Sequence, residues 1–396
     1  VALGKESERI IEIRVKAPLK DKDNNRPELN LALVIDRSGS MNGTKLAYAC
    51  KAATYVVDML ESTDRLALVV FDNEVESLFP SVRMNDENRA DMREAIRRVE
   101  SRGSTNLSGG WLAGCHAVAD TLMDRGLNRS LLLTDGRANM GIVDPVEIST
   151  HADELNERGI STTTLGVGLD YDHFLLERMA ERGGGNYYFI EDPSSIPNIF
   201  EKELHELAHI TARSTEIVVS LPNNYDATVL GGWSTHSDKK GLHIRLGGLA
   251  SGMEKRIYLR AHFSTSLQDG PTEIYARVFA RNENDELLEG ERTLAFDAVS
   301  ISEEEGVSPD QQLMSRFAEV DMAEAANEAL KMEFQGNRKE ADAFLRNRTQ
   351  LNSPYLKKEV IHEYGDLSNR MGRGLDERDR KNSNYAANNR RKIREE

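Results

Sequence analysis

Five oxygen-bearing side chains stand in short loops that follow apolar runs. They are Asp36, Ser38 and Ser40 in Asp36-Arg37-Ser38-Gly39-Ser40-Met41, Thr105 in Gly103-Ser104-Thr105-Asn106-Leu107, and Asp135 in Thr134-Asp135-Gly136. Two carboxylates and three hydroxyls, without sulfur or imidazole, suit a hard divalent cation in octahedral geometry. Mg2+ is the default ion for such donors, with Mn2+ or Ca2+ as substitutes. A second pattern competes with this one. His205-Glu206-Leu207-Ala208-His209 matches H-E-x-x-H, in which two His on one helical face hold zinc and the Glu acts as general base.

The surrounding elements explain how the five oxygens come together. LNLALVI (29–35), DRLALVVF, SLLLTDG and STTTLGVG are largely apolar runs that read as strands buried on both faces. Between them lie amphipathic segments such as KLAYACKAATYVVDML and SGGWLAGCHAVADTLMDR, which read as helices. This alternation predicts an α/β fold, a doubly wound and mostly parallel sheet, over residues 28–213. In such sheets ligands bind beyond the carboxyl ends of the strands, which is where the five residues fall.

From Thr215 the pattern changes to strands alone, and residues 214–300 read as an antiparallel β-sandwich domain. The alternating strand near Ile10 to Val15, within residues 1–27, is expected to belong to that β-domain. Residues 301–371 read as a helical region preceded by the linker ISEEEGVSP, and residues 372–396 as a charged, Asn-rich flexible tail. Two cysteines, Cys50 and Cys115, lie in apolar helical patterns and read as buried free thiols, with a single bridge left open if the two helices touch.

Composition narrows the function classes. The net charge of −15 argues against nucleic acid and anionic membrane as partners. No apolar run approaches the ~18 residues of a membrane span. These features point to a cytoplasmic protein, while the start at Val1 leaves secretion or surface display open.

The pattern D-x-S-x-S, a distant Thr, and Asp in T-D-G resembles the metal-ion-dependent adhesion site (MIDAS) of von Willebrand factor A (vWA) domains, complete at all five positions. PELNLALVIDRSGSM, GSTNLSGG, SLLLTDGRANMG, TTTLGVG and GGGNYYFI resemble the bacterial branch labelled calcium-activated chloride channel homologues. The resemblance implies hydroxyl ligation by Ser38, Ser40 and Thr105, with Asp36 and Asp135 holding the metal largely through water. One coordination position would be left for a partner's carboxylate. Arg37, Arg137, Asn139, Asp170, Tyr171 and His173, with Asp172, fall on neighbouring loops and are candidates for a rim that contacts the partner.

The zinc pattern lacks its context. The extended form fails because Ala212 and Thr215 replace the Gly and third His, and Glu216 lies in a strand rather than on a following helix. With no phosphate loop and no nucleophile arrangement, the chain reads as a non-enzymatic binding or assembly protein. Its MIDAS would capture an acidic residue of a protein partner. The alternatives are a structural subunit of a larger complex, a surface adhesin and, remotely, a zinc peptidase. The resemblance suggests a MoxR-type AAA+ ATPase or its client complex as partner, and the β-domain and helical end offer a surface for self-association.

Overall fold

The computed structural model describes all residues except 2–5, 21–25, 223–224, 264–270, 283, 298 and 393–396. β1 (Ser7–Lys16) precedes the α/β unit, which runs β2 (Leu29–Asp36), α1 (Thr44–Met59), β3 (Arg65–Phe71), β4 (Val75–Arg83), α2 (Asp86–Arg97) and α3 (Leu107–Ala119). It continues with β5 (Leu127–Thr134), α4 (Pro145–Glu157), β6 (Ile160–Val167), α5 (His173–Arg182), β7 (Gly184–Ile190) and α6 (Ile196–Ala208). The six strands order as β4-β3-β2-β5-β6-β7. All neighbours are parallel except β4, which is antiparallel to β3 and lies at the edge, where the missing N–H of Pro80 does least harm.

Why the strands read as continuous apolar runs is now visible. Along β2, Leu31, Leu33 and Ile35 face a cluster with α1, α2 and α6, including Val56, Met92 and Leu204. Ala32 and Val34 face the opposite cluster, where Trp111 and Cys115 of α3, Ile148 of α4 and Leu176 of α5 pack. Both faces of the sheet are thus covered, and the loops after the central strands gather at one end.

The β-domain follows as β8 (Ile210–Ser220), β9 (Tyr225–Leu230), β10 (Ser234–Asp238), β11 (Gly241–Ala250), β12 (Glu254–Phe263), β13 (Pro271–Arg281) and β14 (Leu287–Asp297). One sheet is β1-β12-β9 and the other β10-β11-β8-β13-β14. Their facing residues, among them Ile13, Val229, Ile257 and Leu259 on one side and Ile217, Val219, Ile244 and Ile274 on the other, share one core. β1 pairs with β12 over its whole length, so the α/β unit is inserted between β-domain strands.

The C-terminal part contains α7 (Ile301–Glu305), α8 (Gln311–Phe334), α9 (Arg338–Asn352), α10 (Lys358–Arg373) and α11 (Glu377–Arg391). The expected linker at ISEEEGVSP is partly helical, because Ser300 and Glu303 form a reciprocal capping box at the start of α7. The flexible-tail expectation for residues 372–396 is corrected over its described part. α11 buries Lys381, Asn384, Ala387, Asn388 and Arg391. Arg391 reaches the buried Glu177 and the half-buried Glu181 of α5, and the Lys381 ammonium donates to the Tyr171 carbonyl at 2.6 Å. The charges that suggested solvation are the groups that dock this helix.

Among the described residues no helix is long and apolar enough to cross a membrane. Both cysteines are free; burial pushes the Cys50 thiol up to about 11 and the Cys115 thiol to about 12.

Candidate metal centre

Asp36 ends β2 and Asp135 follows β5, the two central strands of the sheet. Both carboxylates are fully buried, Ser38 and Thr105 nearly so, and Ser40 is exposed, so the group opens to solvent on the Ser40 side. The Ser40 hydroxyl donates to Asp135 Oδ1 at 2.6 Å and lies 3.1 Å from the Ser38 hydroxyl. Asp36 Oδ1 accepts from the Ser38 backbone N–H at 2.8 Å, while its Oδ2 accepts from the Thr134 hydroxyl.

Backbone contacts lock the loops to each other. Gly39 N–H donates to the Gly103 carbonyl at 3.1 Å, and Arg102 N–H to the Arg37 carbonyl at 2.8 Å. Gly103 adopts φ +70°, and a Cβ there would lie 2.0 Å from Asn73 Oδ1. That left-handed, crowded position excludes other side chains. Gly136 has a similar role at the next loop, since a Cβ would meet the Thr105 hydroxyl at 2.7 Å. Thr105 is thereby seated directly against the Asp135-Gly136 turn, and its N–H donates to Asn139 Oδ1 at 3.3 Å. Among the described residues its hydroxyl has no hydrogen-bond partner, which leaves that oxygen available as a ligand.

Electrostatics set this cluster apart. Burial, with the neighbouring Asp135 charge adding to it, pushes the Asp36 carboxyl up to about 6 against the pull of its hydrogen bonds from Thr134 and Ser38. Asp36 makes no ion pair among the described residues. Asp135 has one, with the Lys45 ammonium, at 2.5 Å. Lys45 and Thr134 are participants that motif reading missed. Thr134 precedes the motif Asp inside β5, and Lys45 lies in the first turn of α1, where its direction toward Asp135 depends on the fold.

The expected rim is only partly a rim. Arg137 and Asn139 are exposed, and Arg137 Nε donates to the Asp170 carbonyl at 3.0 Å, bringing two neighbouring loops together. Arg37, by contrast, is 7% exposed and pairs with Asp72 at 2.7 Å and Glu76 at 2.9 Å. Arg102 also reaches Asp72, so Arg37 braces the loops and is not free for a partner. Tyr171 and His173 are likewise buried. The Tyr171 hydroxyl meets that of Tyr187 at 2.9 Å, with Lys381 over its ring. Burial and the nearby Lys381 and Arg380 pull His173 down to about 3, so it stays neutral. Neither belongs to a surface rim, because the helical end covers them: Lys381 of α11 lies over Tyr171, and Phe334 of α8 packs 6.4 Å from the His173 ring.

The H-E-x-x-H stretch is a helix end. α6 stops at Ala208, His209 is its C-cap, and Leu204 and Leu207 face the core. His209 Nδ1 lies 2.7 Å from the His205 carbonyl, and Glu206 accepts from Asn186 at 3.1 Å. Among the described residues no third metal-competent group stands beside this pair.

With this geometry, the sequence of residues 30–202 matches the von Willebrand factor type A domain family. These residues are a von Willebrand factor type A domain. Relatives in sequence are bacterial and animal proteins. Uncharacterized protein YfbK of Escherichia coli is 29% identical over 52% of the chain, and uncharacterized protein sll0103 of Synechocystis is 27% identical over 66%. Human inter-alpha-trypsin inhibitor heavy chain H4 is 30% identical over 39% of the chain and matched along 17% of its own length. The chain spans 36% of YfbK and 63% of sll0103.

Solved structures support the vWA fold beyond this domain. A von Willebrand factor type A protein from Catenulispora acidiphila superposes with a TM-score of 0.76 at 17% identity, covering 98% of this chain and 93% of that one. The ArnB paralog VWA2 from Sulfolobus acidocaldarius gives 0.65 at 15% identity, over 99% and 96%. The whole architecture, vWA sheet, antiparallel sheets and helical end together, is thus a shared one.

Proposed function

We propose that this protein binds other proteins through a divalent cation held by Asp36, Ser38, Ser40, Thr105 and Asp135. The observation that carries the reading is the state of Asp36. It is fully buried, repelled by Asp135, and paired with no cation of the described protein, yet it lies beside Ser38, whose hydroxyl meets that of the exposed Ser40. A divalent ion would supply the missing positive charge, and the all-oxygen donor set favours Mg2+, with Mn2+ or Ca2+ as substitutes. When bound, the ion supplies an electrophilic position for a carboxylate from outside.

The chain's own groups do the rest. Thr134 and the Ser38 N–H orient Asp36, Lys45 and Ser40 orient Asp135, and Asn139 and Gly136 hold Thr105 in place. The exposed Arg137 and Asn139 stand at the mouth, where an acidic partner segment would meet them. This is a binding reading rather than a catalytic one, and MoxR-type AAA+ ATPases or their client complexes are the partner class to test first.

Capture of partners from an extract of the native organism, with Mg2+ and with EDTA, tests the idea. Capture should be lost with EDTA and in Asp36→Ala and Thr105→Ala. Capture that survives all three removes metal-dependent docking.

A further inference from the structure

A second group of metal-competent side chains lies far from the vWA loops, in the β-domain. Glu216 of β8, His236 of β10 and His243 of β11 place one ligand atom each within 4.8 Å of one another. The strand register creates the group. His236 is the direct cross-strand partner of His243, and Glu216 is diagonal to it, opposite Arg245. All three project from the face opposite Ile217 and Ile244, which point into the sandwich core. The two imidazoles overlap with centroids 4.3 Å apart.

The decisive residue is His243, only 8% exposed. Its Nε2 lies 2.9 Å from Asp238 Oδ1, a carboxylate that favours the tautomer with the proton on that nitrogen. The opposite nitrogen, Nδ1, is buried, faces Glu216 Oε1 at 3.3 Å, and has no hydrogen-bond partner. A buried, correctly oriented lone pair without a donor is costly unless something occupies it. A carboxylate behind one imidazole nitrogen and a second carboxylate facing the other at 3.3 Å is an arrangement that a cation between His243 and Glu216 would complete, as around metal-bound histidines.

We infer that Glu216, His236 and His243 form a binding site for a first-row transition-metal dication of the zinc class, with Asp238 positioning His243. Two imidazoles and one carboxylate match the ligand preferences of zinc and its neighbours, not those of Mg2+. Glu216 and Asp238 together offset the dication. The guanidinium of Arg245, 3.9 Å from Glu216, is already neutralised by Asp153 at 3.0 Å and Glu157 at 2.6 Å on α4. His236 is exposed, so three protein ligands leave a fourth position facing solvent. The ion would tie β10, β11 and β8 together at the place where Arg245 and Ser234 reach Asp153 of the vWA domain.

Cobalt(II) is the probe, titrated into full-length protein freed of metal. Asp36→Ala serves as the background, so that uptake at the vWA loops does not count. One equivalent should bind and give the visible absorption of imidazole-coordinated cobalt. His243→Gln should abolish that signal, and so should His236→Gln, whose side chain is exposed. Asp238→Asn should keep the stoichiometry and weaken binding roughly 10–100-fold. Zinc should displace the cobalt, and excess Mg2+ should not. Cobalt uptake that is absent in the Asp36→Ala background, is unchanged by His236→Gln, or is lost instead in His205→Gln would overturn the assignment.

Discussion

Asp36→Asn is expected to stabilise the metal-free protein while destroying its response to metal. In the fold the carboxyl sits at about 6, raised from 3.8 chiefly by burial. A difference of that size corresponds to about 3 kcal/mol. The sign follows from which state loses its proton first. Below pH 3.8 both states keep the proton and no cost arises. Between about 4 and 6 the unfolded chain ionises while the native carboxyl does not, so stability declines with rising pH. Above about 6 the full cost is present.

An amide at position 36 carries no charge to bury. It can accept from the Ser38 N–H through its oxygen and donate to the Thr134 hydroxyl through its nitrogen. At pH 7.5 in EDTA the variant should therefore melt roughly 5–10 °C above the wild type in the transition of the vWA domain. The wild type should recover that deficit when Mg2+ is added, because the ion binds the ionised carboxylate; the variant should not move. Thermal unfolding between pH 4 and 8, with and without Mg2+, measures all of this. A variant less stable than the wild type in EDTA at pH 7.5, or one stabilised by Mg2+ to the same extent, would refute the reasoning.

Lys45→Met should bind divalent metal several-fold more tightly, since the Lys45 ammonium competes for Asp135; calorimetry showing equal or weaker binding rules out that competition. Arg129→Met should cost about 3–5 kcal/mol in urea unfolding, because it leaves Glu203 buried without its 2.7 Å partner, and adding Glu203→Gln should restore part of that. Although burial pulls the Glu203 carboxyl up, Arg129 together with Thr163, Asn186 and Tyr188 holds it below 4.5. Its stabilising contribution is therefore present above pH 4.5 and lost as pH falls through the lowered value. A wild-type acid-unfolding profile identical to that of Arg129→Met/Glu203→Gln would contradict this. Ending the chain at residue 376 removes α11 and should speed hydrogen exchange in α5 and at residues 168–172; unchanged protection there would show that α11 does not hold that loop.

Much of this architecture was readable because burial on both faces leaves an unmistakable trace. LNLALVI and SLLLTDG can only be central strands, and D-x-S-x-S at the end of one and T-D-G at the end of the other are brought close by β2–β5 pairing. What resisted reading were properties set by distant chain. Arg37 looks solvated until Asp72 and Glu76 are seen around it. Tyr171 and His173 look like loop-tip residues until α8 and α11 are laid over them. α11 itself has the composition of a disordered segment, since its anchors are charges whose partners, Glu177 and Glu181, lie some 200 residues earlier. Glu216, His236 and His243 share no local motif at all. Only the register of β10, β11 and β8 assembles them.

The central claim is that the five loop oxygens hold a divalent cation, and Thr105 gives the most direct test. Its hydroxyl has no hydrogen-bond partner among the described residues, so Thr105→Ala removes a ligand without breaking a native side-chain bond. Titration calorimetry with Mn2+ on His243→Gln and on His243→Gln/Thr105→Ala should show one ion per chain in the first. Binding should be at least tenfold weaker in the second, with the metal-free melting temperatures alike. Equal Mn2+ affinity in the two proteins would contradict the account.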